Sequence, residues 1–524
     1  MRGPGEILPA AAARFGDRTA LICGERRFGF DELNRLSDRI AVALVGRGVR
    51  PGQPVSLYAQ NRWEWVVGYH GALKAGAVVN PVNVMLTPEE LAFVLRDCAA
   101  AVVMTGGEHA AGVVELTREL PELHTVVTFD AGAHDEAVDF AALLDERSGP
   151  ADGSGTGAGP FEPCDVDPDA PSTIGYTSGT TGHPKGAVQS HRAVLLNCAL
   201  TATMHGRTEH DVVVTALPAP HVYGNVVING TFLAGGTVVL MERFDPAKAL
   251  TLIAAHRATL FEGVPAMYAM LLAHPDLERT DLTSLTRCTV GGQTIPLSTI
   301  DRWQQRSGAP LIELWGMTEI SGLGTTHALH APPVPGSIGV SLPGVEVRIA
   351  DLADPGRDAV TGEPGELLIR GPIVMLGYHG NPDATAEVLE PDGWLHTGDI
   401  ATLDATGHVF VVDRRKDMII TGGYNVYPAE IERVVAGHPG VAMVAVGPVP
   451  DDVRGELACA YVVRADGATV TGEEIIAYAG TRLAAYKRPR LVRFVESLPA
   501  TSTGKIMRRE LIKSFREGPE AGAQ

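Results

Sequence analysis

Residues 54–82 read "PVSLYAQNRWEWVVGYHGALKAGAVVNPV". An apolar segment typical of a strand spans 54–60, apolar residues at helical spacing follow over 64–76, and a second strand pattern spans 77–82. A glycine closes the helical part, as is common at helix ends. A strand, a helix and a strand in this order predict two parallel strands joined by a crossover helix, and therefore an α/β fold.

The alternation continues on both sides of this unit. Helices are predicted over 31–48 and 87–98, and a strand is predicted over 100–106. Thr87 is the expected N-cap of the second helix, with Pro88 in its first turn, because a side-chain oxygen and a residue without N–H both suit a helix start. These elements predict a first α/β sheet subdomain.

A second alternating half follows. Strands are predicted over 211–218, 236–241 and 258–265, and helices over 191–204 and 245–256. We therefore expect a second α/β sheet subdomain that is also covered by helices.

The pattern changes in the last third of the chain. From about residue 336, short strands such as "GVEVRIAD" and "GELLIRGP" alternate with turns, which indicates a small β-rich subdomain. After "DRRKD" a compact α+β pattern begins. The expected domains are an N-terminal domain over 1–412 (subdomains of about 1–170, 171–335 and 336–412), a boundary at 413–417 and a C-terminal domain over 418–524.

Composition excludes several classes of function. The chain has 524 residues and a net charge of -19, which makes it a poor candidate for binding nucleic acid or an anionic membrane. Its six cysteines lack the close spacing of a zinc site. No run of about 20 apolar residues predicts a membrane span, and the first residues do not resemble a secretory signal. We therefore expect a cytoplasmic enzyme or binding protein.

The segment "YTSGTTGHPKG" over 176–186 combines hydroxyl side chains, three glycines and one lysine. This composition predicts a loop rather than the interior of a helix or strand. Hydroxyls, exposed backbone N–H groups and a lysine suit a phosphate group. The segment is not a GxxxxGK[ST] loop, because Lys185 follows Pro184 and precedes Gly186. From the residues alone, a polar surface loop stays an alternative.

This segment resembles the phosphate-binding signature of the adenylate-forming superfamily, and the chain looks most like bacterial fatty-acyl or bulky-acid CoA ligases. Four further segments are similar to that family's motifs in the same order, so the resemblance covers nearly the whole chain. They are "LWGMTE" (314–319), "GWLHTGD" (393–399), "DRRKDMIITGGYNVYPAEIE" (413–432) and "LPATSTGKIMRREL" (498–511).

The resemblance implies an acid:CoA ligase that uses ATP, CoA and Mg²⁺. A carboxylic acid would react with ATP to give an acyl-adenylate and pyrophosphate, and the acyl group would then pass to CoA. A carboxylate repels the triphosphate, so the site must neutralise charge and align the reacting oxygens. The implied partners are the small-molecule acid and CoA, with a separate carrier protein as a further possibility, and the chain is expected to be a monomer or a homodimer.

The resemblance also assigns residues to the nucleotide. Lys505 would bridge the acyl carboxylate and the α-phosphate, Glu319 and Thr181 would hold Mg²⁺, and Asp399 with Arg414 would bind the ribose. Lys505, His221, Glu319 and Thr181 form the implied catalytic set. The implied nucleotide-binding residues are Thr177, Ser178, Gly179, Thr180, Thr181, Lys185, Gly292, Gln293, Trp315, Gly316, Met317, Thr318, Asp399, Arg414 and Lys505.

The segment "LPAPHVYGNVVINGTF" over 217–232 resembles the family's acyl-pocket segment. His221 matches an aromatic gate near the carboxylate. The other residues implied next to the acid are Tyr223, Asn225, Gly291 and Gly292. No arginine lies between 208 and 242, which weighs against a dicarboxylate, and no aspartate closely follows His221, which weighs against an amino acid.

Two half-reactions on one site imply a small mobile α+β C-terminal domain that rotates about a hinge. Lys416 matches the hinge position. Rotation would withdraw Lys505 and bring up Gly422 and Gly423, whose small size would let the pantetheine arm of CoA pass close to the backbone.

Three residues depart from the family pattern. Trp315 stands where the family usually has tyrosine, Gln293 where it has alanine, and Asp413 where it has glycine. A bulkier adenine pocket would weaken ATP use, so an enzyme that catalyses only one half-reaction stays an alternative. Loading of a carrier protein, a luciferase-like oxygenase and a catalytically silent acyl- or nucleotide-binding protein are the others.

Overall fold

The computed structural model describes residues 1–145, 161–177, 184–328, 330–421, 424–451, 454–499 and 507. In this part of the chain the strands are β1 (Thr19–Cys23), β2 (Arg26–Gly29), β3 (Pro54–Tyr58), β4 (Val78–Pro81), β5 (Val102–Thr105), β6 (Thr125–Thr128), β7 (Val138–Asp139), β8 (Pro171–Thr177), β9 (Lys185–Ser190), β10 (Val212–Thr215), β11 (Thr237–Leu240), β12 (Leu260–Gly263), β13 (Arg287–Val290), β14 (Leu311–Met317), β15 (Gly322–Thr326), β16 (Val340–Ser341), β17 (Glu346–Ala350), β18 (Gly365–Arg370), β19 (Gly377–Tyr378), β20 (Leu395–Leu403), β21 (Val409–Arg414), β22 (Ile419–Thr421), β23 (Tyr424–Val426), β24 (Val441–Asp451), β25 (Gly455–Arg464) and β26 (Leu491–Phe494).

The α-helices of the same part of the chain are α1 (Ile7–Phe15), α2 (Phe30–Gly46), α3 (Trp63–Lys74), α4 (Pro88–Asp97), α5 (Gly107–Leu116), α6 (Phe140–Asp145), α7 (His191–Met204), α8 (Val222–Ala234), α9 (Pro246–Ala255), α10 (Pro265–Ala273), α11 (Leu297–Ser307), α12 (Pro382–Ala386), α13 (Pro428–Ala436) and α14 (Gly472–Gly480). Short 3₁₀ turns span Pro4–Glu6, Pro275–Arg279, Thr318–Ile320 and Arg415–Asp417.

The predicted βαβ unit is present. Strands β3 and β4 are parallel, with Val55 opposite Val79, and α3 connects them. The side chain of Thr87 accepts a hydrogen bond from the N–H of Glu90, and the Glu90 side chain accepts one from the N–H of Thr87, which makes a capping box at the start of α4. The mixed α/β fold with a large N-terminal domain and a smaller C-terminal domain is confirmed.

The described strands form four sheets, three in the N-terminal part and one in the C-terminal part. Their orders are β16-β15-β14-β13-β12-β10-β11-β1-β2, β19-β9-β8-β4-β3-β5-β6-β7, β17-β18-β20-β21 and β23-β22-β25-β24, with β26 added to β25. Strands β10 to β14 run parallel, and so do β3 to β6. The first two sheets are the predicted pair of α/β subdomains, and the third is the β-rich subdomain.

The two large sheets exchange strands along the chain. Strand β1 pairs with β11, which places Leu21 opposite Val238, and strand β8 pairs with β4 through Thr173 and Val79. Sheet membership therefore does not follow the predicted limit near residue 170, and the domain limits themselves stay a prediction.

The segment 176–186 is a strand at both ends, which corrects the prediction of a loop throughout. Tyr176 and Thr177 end β8, and Lys185 and Gly186 begin the antiparallel strand β9. A Cβ on Gly186 would lie 2.8 Å from Cγ2 of Ile174, so glycine permits this close strand pairing. Residues 178–183 lie outside the described part of the chain.

Candidate active site

A cavity of about 680 Å³ lies where the β8–β9 hairpin approaches the first turn of α8. Thr177 and Thr318 line one side of it, and His221 and Asn225 line another. The segment 82–86, which follows β4, completes the wall. The cavity is lined by residues that follow β4 in one large sheet and by residues that follow β10 in the other. Ligands of α/β proteins commonly bind beyond the carboxyl ends of parallel strands.

The carboxylate of Asp399 is held from two sides. The indole Nε1 of Trp315 donates a hydrogen bond to Oδ2 at 2.8 Å, and Nε of Arg414 lies 2.5 Å from Oδ1. Asp399 on β20 stands opposite Arg414 on the antiparallel strand β21. The structure thus joins three sequence motifs around one buried negative charge.

Trp315 is buried beside a glycine of the neighbouring strand. Only 8% of its surface is exposed, and a Cβ on Gly324 of β15 would lie 2.7 Å from Cζ3 of the indole. The missing side chain of Gly324 gives the ring its space. Trp315 does not line the cavity described above, so the extra volume of tryptophan is accommodated between the strands.

Glu319 is a buried carboxylate rather than a solvated one. It ends the parallel strand β14 in a 3₁₀ turn, and its Oε1 accepts a hydrogen bond of 3.0 Å from the Tyr378 hydroxyl. Burial raises the pKa of Glu319, while Tyr378 and the charge of Arg414 lower it and the charge of Asp399 raises it. The hydrogen bond from Tyr378 therefore ties the Glu319 carboxylate to strand β19.

Tyr378 was not among the predicted site residues. It lies on β19, which pairs with β9, and its ring centre is 5.2 Å from Nζ of Lys185. Lys185 also lies 3.8 Å from the carboxylate of Glu387. Tyr378 belongs to no sequence motif, because its place beside Lys185 depends on the pairing of strands almost 200 residues apart. Its aromatic ring next to polar residues is the only sequence signal that could have suggested a role in the site.

The backbone around Thr318 is fixed by close packing. The side-chain amide of Gln189 donates to the carbonyl of Thr318 at 2.9 Å. A Cβ on Gly316 would lie 2.0 Å from the carbonyl oxygen of Gly322, so β14 and β15 approach as only glycine allows. Met317, between them, is half-buried.

The three predicted acyl-pocket residues at the start of α8 face different ways. His221 is exposed, lines the cavity and caps the helix, with Nδ1 accepting from the N–H of Tyr223 at 3.2 Å. Asn225 also lines the cavity. The hydroxyl of Tyr223 instead reaches Thr289 at 2.6 Å, next to the fully buried Arg207–Glu262 ion pair.

Gly291, Gly292 and Gln293 follow strand β13 and do not line this cavity. A Cβ on Gly291 would lie 2.2 Å from Cδ1 of Leu314, so this glycine lets the turn lie against β14. Gly292 is exposed with φ of 89°, a conformation that favours glycine, and Gln293 is half-buried.

An arginine in the cavity wall bears on whether the substrate could be a dicarboxylate. Arg243 lines the cavity, one residue beyond the segment 208–242 that contains none. Arg207, just before that segment, is fully buried against Glu262. The absence of arginine in the sequence segment therefore does not exclude a second carboxylate in the substrate.

The predicted hinge contains a hydrogen-bonded aspartate. The carboxylate of Asp413 accepts two hydrogen bonds, both of 2.7 Å. Oδ1 accepts one from the N–H of Arg414, and Oδ2 accepts one from the N–H of Ala429. Ala429 lies in the first turn of α13, where N–H groups have no partner within the helix. Asp413 therefore joins β21 to the C-terminal domain across the exposed Lys416.

A model of the AMP-binding enzyme family matches residues 8–379, and a model of the AMP-binding enzyme C-terminal domain matches residues 430–505. The chain belongs to the AMP-binding enzyme family. The first match alone covers more than half of the chain, and the two matches together include four of the five motifs in whole or in part; the segment 393–399 lies between them.

This AMP-binding enzyme is similar to several characterised proteins along its whole length. It is 38% identical over 510 residues to a feruloyl-CoA synthase of an Amycolatopsis species, covering 97% of this chain and 98% of that one. It is 33% identical over 536 residues to a long-chain-fatty-acid–CoA ligase of Bacillus subtilis, covering 98% and 94%. Its fold matches a crystal structure of an anthranilate CoA ligase in complex with anthranoyl-AMP with a TM-score of 0.90 at 27% identity, covering 98% and 97%.

Membership and these relatives make the AMP-binding enzyme an acyl-CoA ligase that works through an acyl-adenylate. The alternatives of a single half-reaction, an oxygenase or a silent binding protein are not favoured. ATP and CoA are the cosubstrates that this family implies.

Several predicted site residues of the AMP-binding enzyme lie outside the described part of the chain: Ser178, Gly179, Thr180, Thr181, Gly422, Gly423 and Lys505. Within the described ranges, no cluster of three or more histidine, cysteine or acidic side chains could enclose a metal ion. The helices in those ranges include none with the length and hydropathy needed to cross a bilayer.

Proposed function

We propose that the chain activates its acid at the junction of the β8–β9 hairpin, the Thr318–Ile320 turn and the Asp399–Arg414 pair. The observation that supports this site is the convergence of four separate motifs. Strand β8 ends at Thr177, and Glu319 is joined to the hairpin through Tyr378, whose strand β19 pairs with β9. Asp399, paired with Arg414, accepts a hydrogen bond from Trp315 on β14, the strand that precedes Glu319. Residues far apart in the chain thus surround one polar region.

The nucleotide would occupy this region in an orientation set by charge. Asp399 would accept hydrogen bonds from the ribose hydroxyls and Arg414 would donate to them. Thr177 and Lys185, at the two ends of the phosphate loop, would direct the phosphates toward the cavity. Lys505 would arrive from the C-terminal domain to neutralise charge between the carboxylate and the α-phosphate.

The residues present fit a magnesium ion. This ion is usually held by one or two carboxylates together with phosphate oxygens and water, so Glu319 needs no protein cage around it. A bound Mg²⁺ would neutralise phosphate charge. The Tyr378 hydroxyl would hold the Glu319 carboxylate in place, and Thr181 would be a second ligand.

The acid would lie in the cavity lined by His221 and Asn225, open to the nucleotide region on one side. The similar proteins are named for a feruloyl group, a long-chain fatty acid and anthranilate, which differ in size and polarity. Their names therefore support a carboxylic acid as the substrate without choosing one class. Cytoplasmic location, a carrier protein as acyl acceptor and a monomeric or dimeric state stay predictions of the sequence.

The test is product analysis with a mixed pool of aliphatic, aromatic and alicyclic acids, ATP, Mg²⁺ and CoA. We expect pyrophosphate, AMP and at least one acyl-CoA, identified by mass spectrometry, and no thioester when ATP is replaced by AMP. Asp399→Ala should raise the KM for ATP at least tenfold. Formation of an acyl-AMP with no thioester from any acid would contradict transfer to CoA.

A further inference from the structure

The part of the cavity next to α8 has both apolar and polar walls. Pro218, Pro220 and Val222 supply apolar surface, and the polar residues beside them include Tyr69, His221, Asn225 and Ser321. Polar groups are few and specific in most ligand cavities, where they fix the orientation of the ligand. Whether each hydrogen-bond donor already has a partner in the protein therefore indicates what kind of acyl group the cavity would accept.

Ser321 and Tyr69 already use their hydroxyl donors within the protein. The hydroxyl of Ser321 donates to the carbonyl of Ile373 at 3.1 Å. The hydroxyl of Tyr69 donates to Oδ1 of Asn225 at 3.4 Å. Neither hydroxyl has a proton left for a substrate.

Asn225 is oriented from behind by a second amide. Nδ2 of Asn229, one helical turn further on, donates both to the carbonyl oxygen of Asn225 at 3.1 Å and to its Oδ1 at 3.2 Å. With Tyr69 and Asn229 both donating to Oδ1, the amide of Asn225 has only one favourable orientation. Its Nδ2 group then points away from both donors.

His70 lies behind Asn229 in the core. Its ring is fully buried next to Asn229, although neither ring nitrogen completes a hydrogen bond of ordinary geometry. Burial lowers the pKa of His70 to about 3, so the ring is neutral and adds no charge to the cavity. Asn229 and His70, the side chains behind Asn225, thus carry no charge.

The Nδ2 group of Asn225 makes no hydrogen bond with another described residue. It is also not one of the fully buried side-chain nitrogens that lack a partner, and Asn225 lines the cavity. We propose that this N–H group selects carboxylic acids whose acyl group carries an oxygen acceptor, such as a carbonyl, ether or hydroxyl oxygen. The proposal rests on the proposed function, because it places the acyl group in this cavity. A purely alkyl or unsubstituted aryl group would displace water from the amide and leave it without a partner.

The expected size of this selection follows from the cost of an unpaired buried donor. For acids of equal length, we expect kcat/KM for thioester formation to favour the oxygenated member about 10- to 100-fold. The test uses matched pairs: octanoic acid against its oxo derivatives, and phenylpropanoic acid against its ring-hydroxy and ring-methoxy derivatives. Measuring each pair as a ratio removes differences in enzyme concentration.

Asn225→Leu removes the donor at similar volume and should bring the ratio close to one, by lowering kcat/KM for the oxygenated acid and raising it for the plain acid. Asn225→Asp keeps the shape but loses the N–H, and it should lower the ratio below the wild-type value even if the leucine variant folds poorly. The control is Thr173→Val, a polar-to-apolar change on the β8 side of the same cavity, which should keep the wild-type ratio.

Three results would overturn the proposal: a wild-type ratio near one for every pair, a ratio unchanged in both Asn225 variants, or a ratio that survives Asn225→Leu but is lost in Arg243→Leu, which would assign the selection to Arg243. Failure of the proposed function would give a different result from failure of this proposal. In that case the wild-type enzyme would form no thioester from the plain or the oxygenated acid of any pair.

Discussion

The hydrogen bond between Trp315 and Asp399 links the adenine and ribose motifs at the level of single side chains. The indole N–H and the guanidinium of Arg414 occupy different oxygens of one carboxylate that is 2% exposed. A tyrosine in the same strand position has no ring N–H to offer. Trp315 is thus a positioning residue for Asp399 in addition to any contact with the base.

We expect Trp315→Phe to raise the KM for ATP about tenfold with a smaller change in kcat, because a charge-assisted hydrogen bond to a buried carboxylate is lost. The increase in KM should be smaller with 2′-deoxy-ATP, because its sugar has one hydroxyl fewer to donate to Asp399. The matched control is Trp394→Phe, since Trp394 is also 8% exposed but packs against Arg348 and Arg370. Equal changes in KM for both variants would refute the positioning role.

Glu313 predicts a pH dependence of stability at the residue scale. Burial raises its pKa from 4.5 to about 7, against the hydrogen bond from Gly336 and the charge of Arg433. The folded chain therefore binds a proton that the unfolded chain releases between these values. Stability from this group is present at low pH and is lost as the pH rises from about 4.5 through about 7.

Glu313→Gln should abolish that loss, because the amide is neutral and its oxygen can still accept from Gly336. At about pH 8 the variant should be more stable than the wild type by up to roughly 3 kcal/mol, with little difference at about pH 4.5. Thermal midpoints across this pH range measure the difference in stability, with Glu363→Gln at an exposed site as the control. A variant that is less stable at high pH would contradict the assignment.

At the scale of elements, the bond from Asp413 to Ala429 connects β21 with α13 across the predicted hinge. It belongs to the present orientation of the C-terminal domain and has to break if that domain turns about Lys416. Asp413, read from the sequence only as a departure from glycine, is thus a helix-capping residue between domains.

Lys416→Pro should block the rotation, because proline fixes φ near −65° and removes the backbone N–H. Overall conversion of acid to thioester should fall at least tenfold, while one of the two half-reactions, measured alone, persists. Lys416→Ala is the control, since it removes the same side chain and leaves the backbone free to rotate. Normal overall turnover in the proline variant would show that the hinge lies elsewhere.

Local periodicity predicted the elements well because helices and parallel strands leave their pattern in neighbouring residues. The helix over 191–204 and the unit over 54–82 are examples. Pairing between distant strands leaves no such pattern. This is why the sequence did not reveal that β1 joins β11, or that β19 brings Tyr378 to Lys185 and Glu319.

At the scale of the whole molecule, three of the family motifs lie at strand ends, where β8 ends at Thr177, β14 at Met317 and β21 at Arg414, and Asp399 within β20 pairs with the last of these. Motif matching pointed to Asp399 and Arg414, whose side chains the structure pairs, while their roles and that of Glu319 stay predictions. It did not predict the donor state of Asn225 or the inward direction of Tyr223, because both depend on side-chain partners such as Asn229 and Thr289.

The central claim is that one site serves two half-reactions, with Lys505 needed for the first. The most direct measurement follows both steps in single turnovers: acyl-AMP formation from acid and ATP without CoA, and thioester formation from synthetic acyl-AMP and CoA. Lys505→Ala should slow the first step by at least about 100-fold, as loss of an oxyanion-type contact does, and largely spare the second. An equal loss in both steps would contradict it.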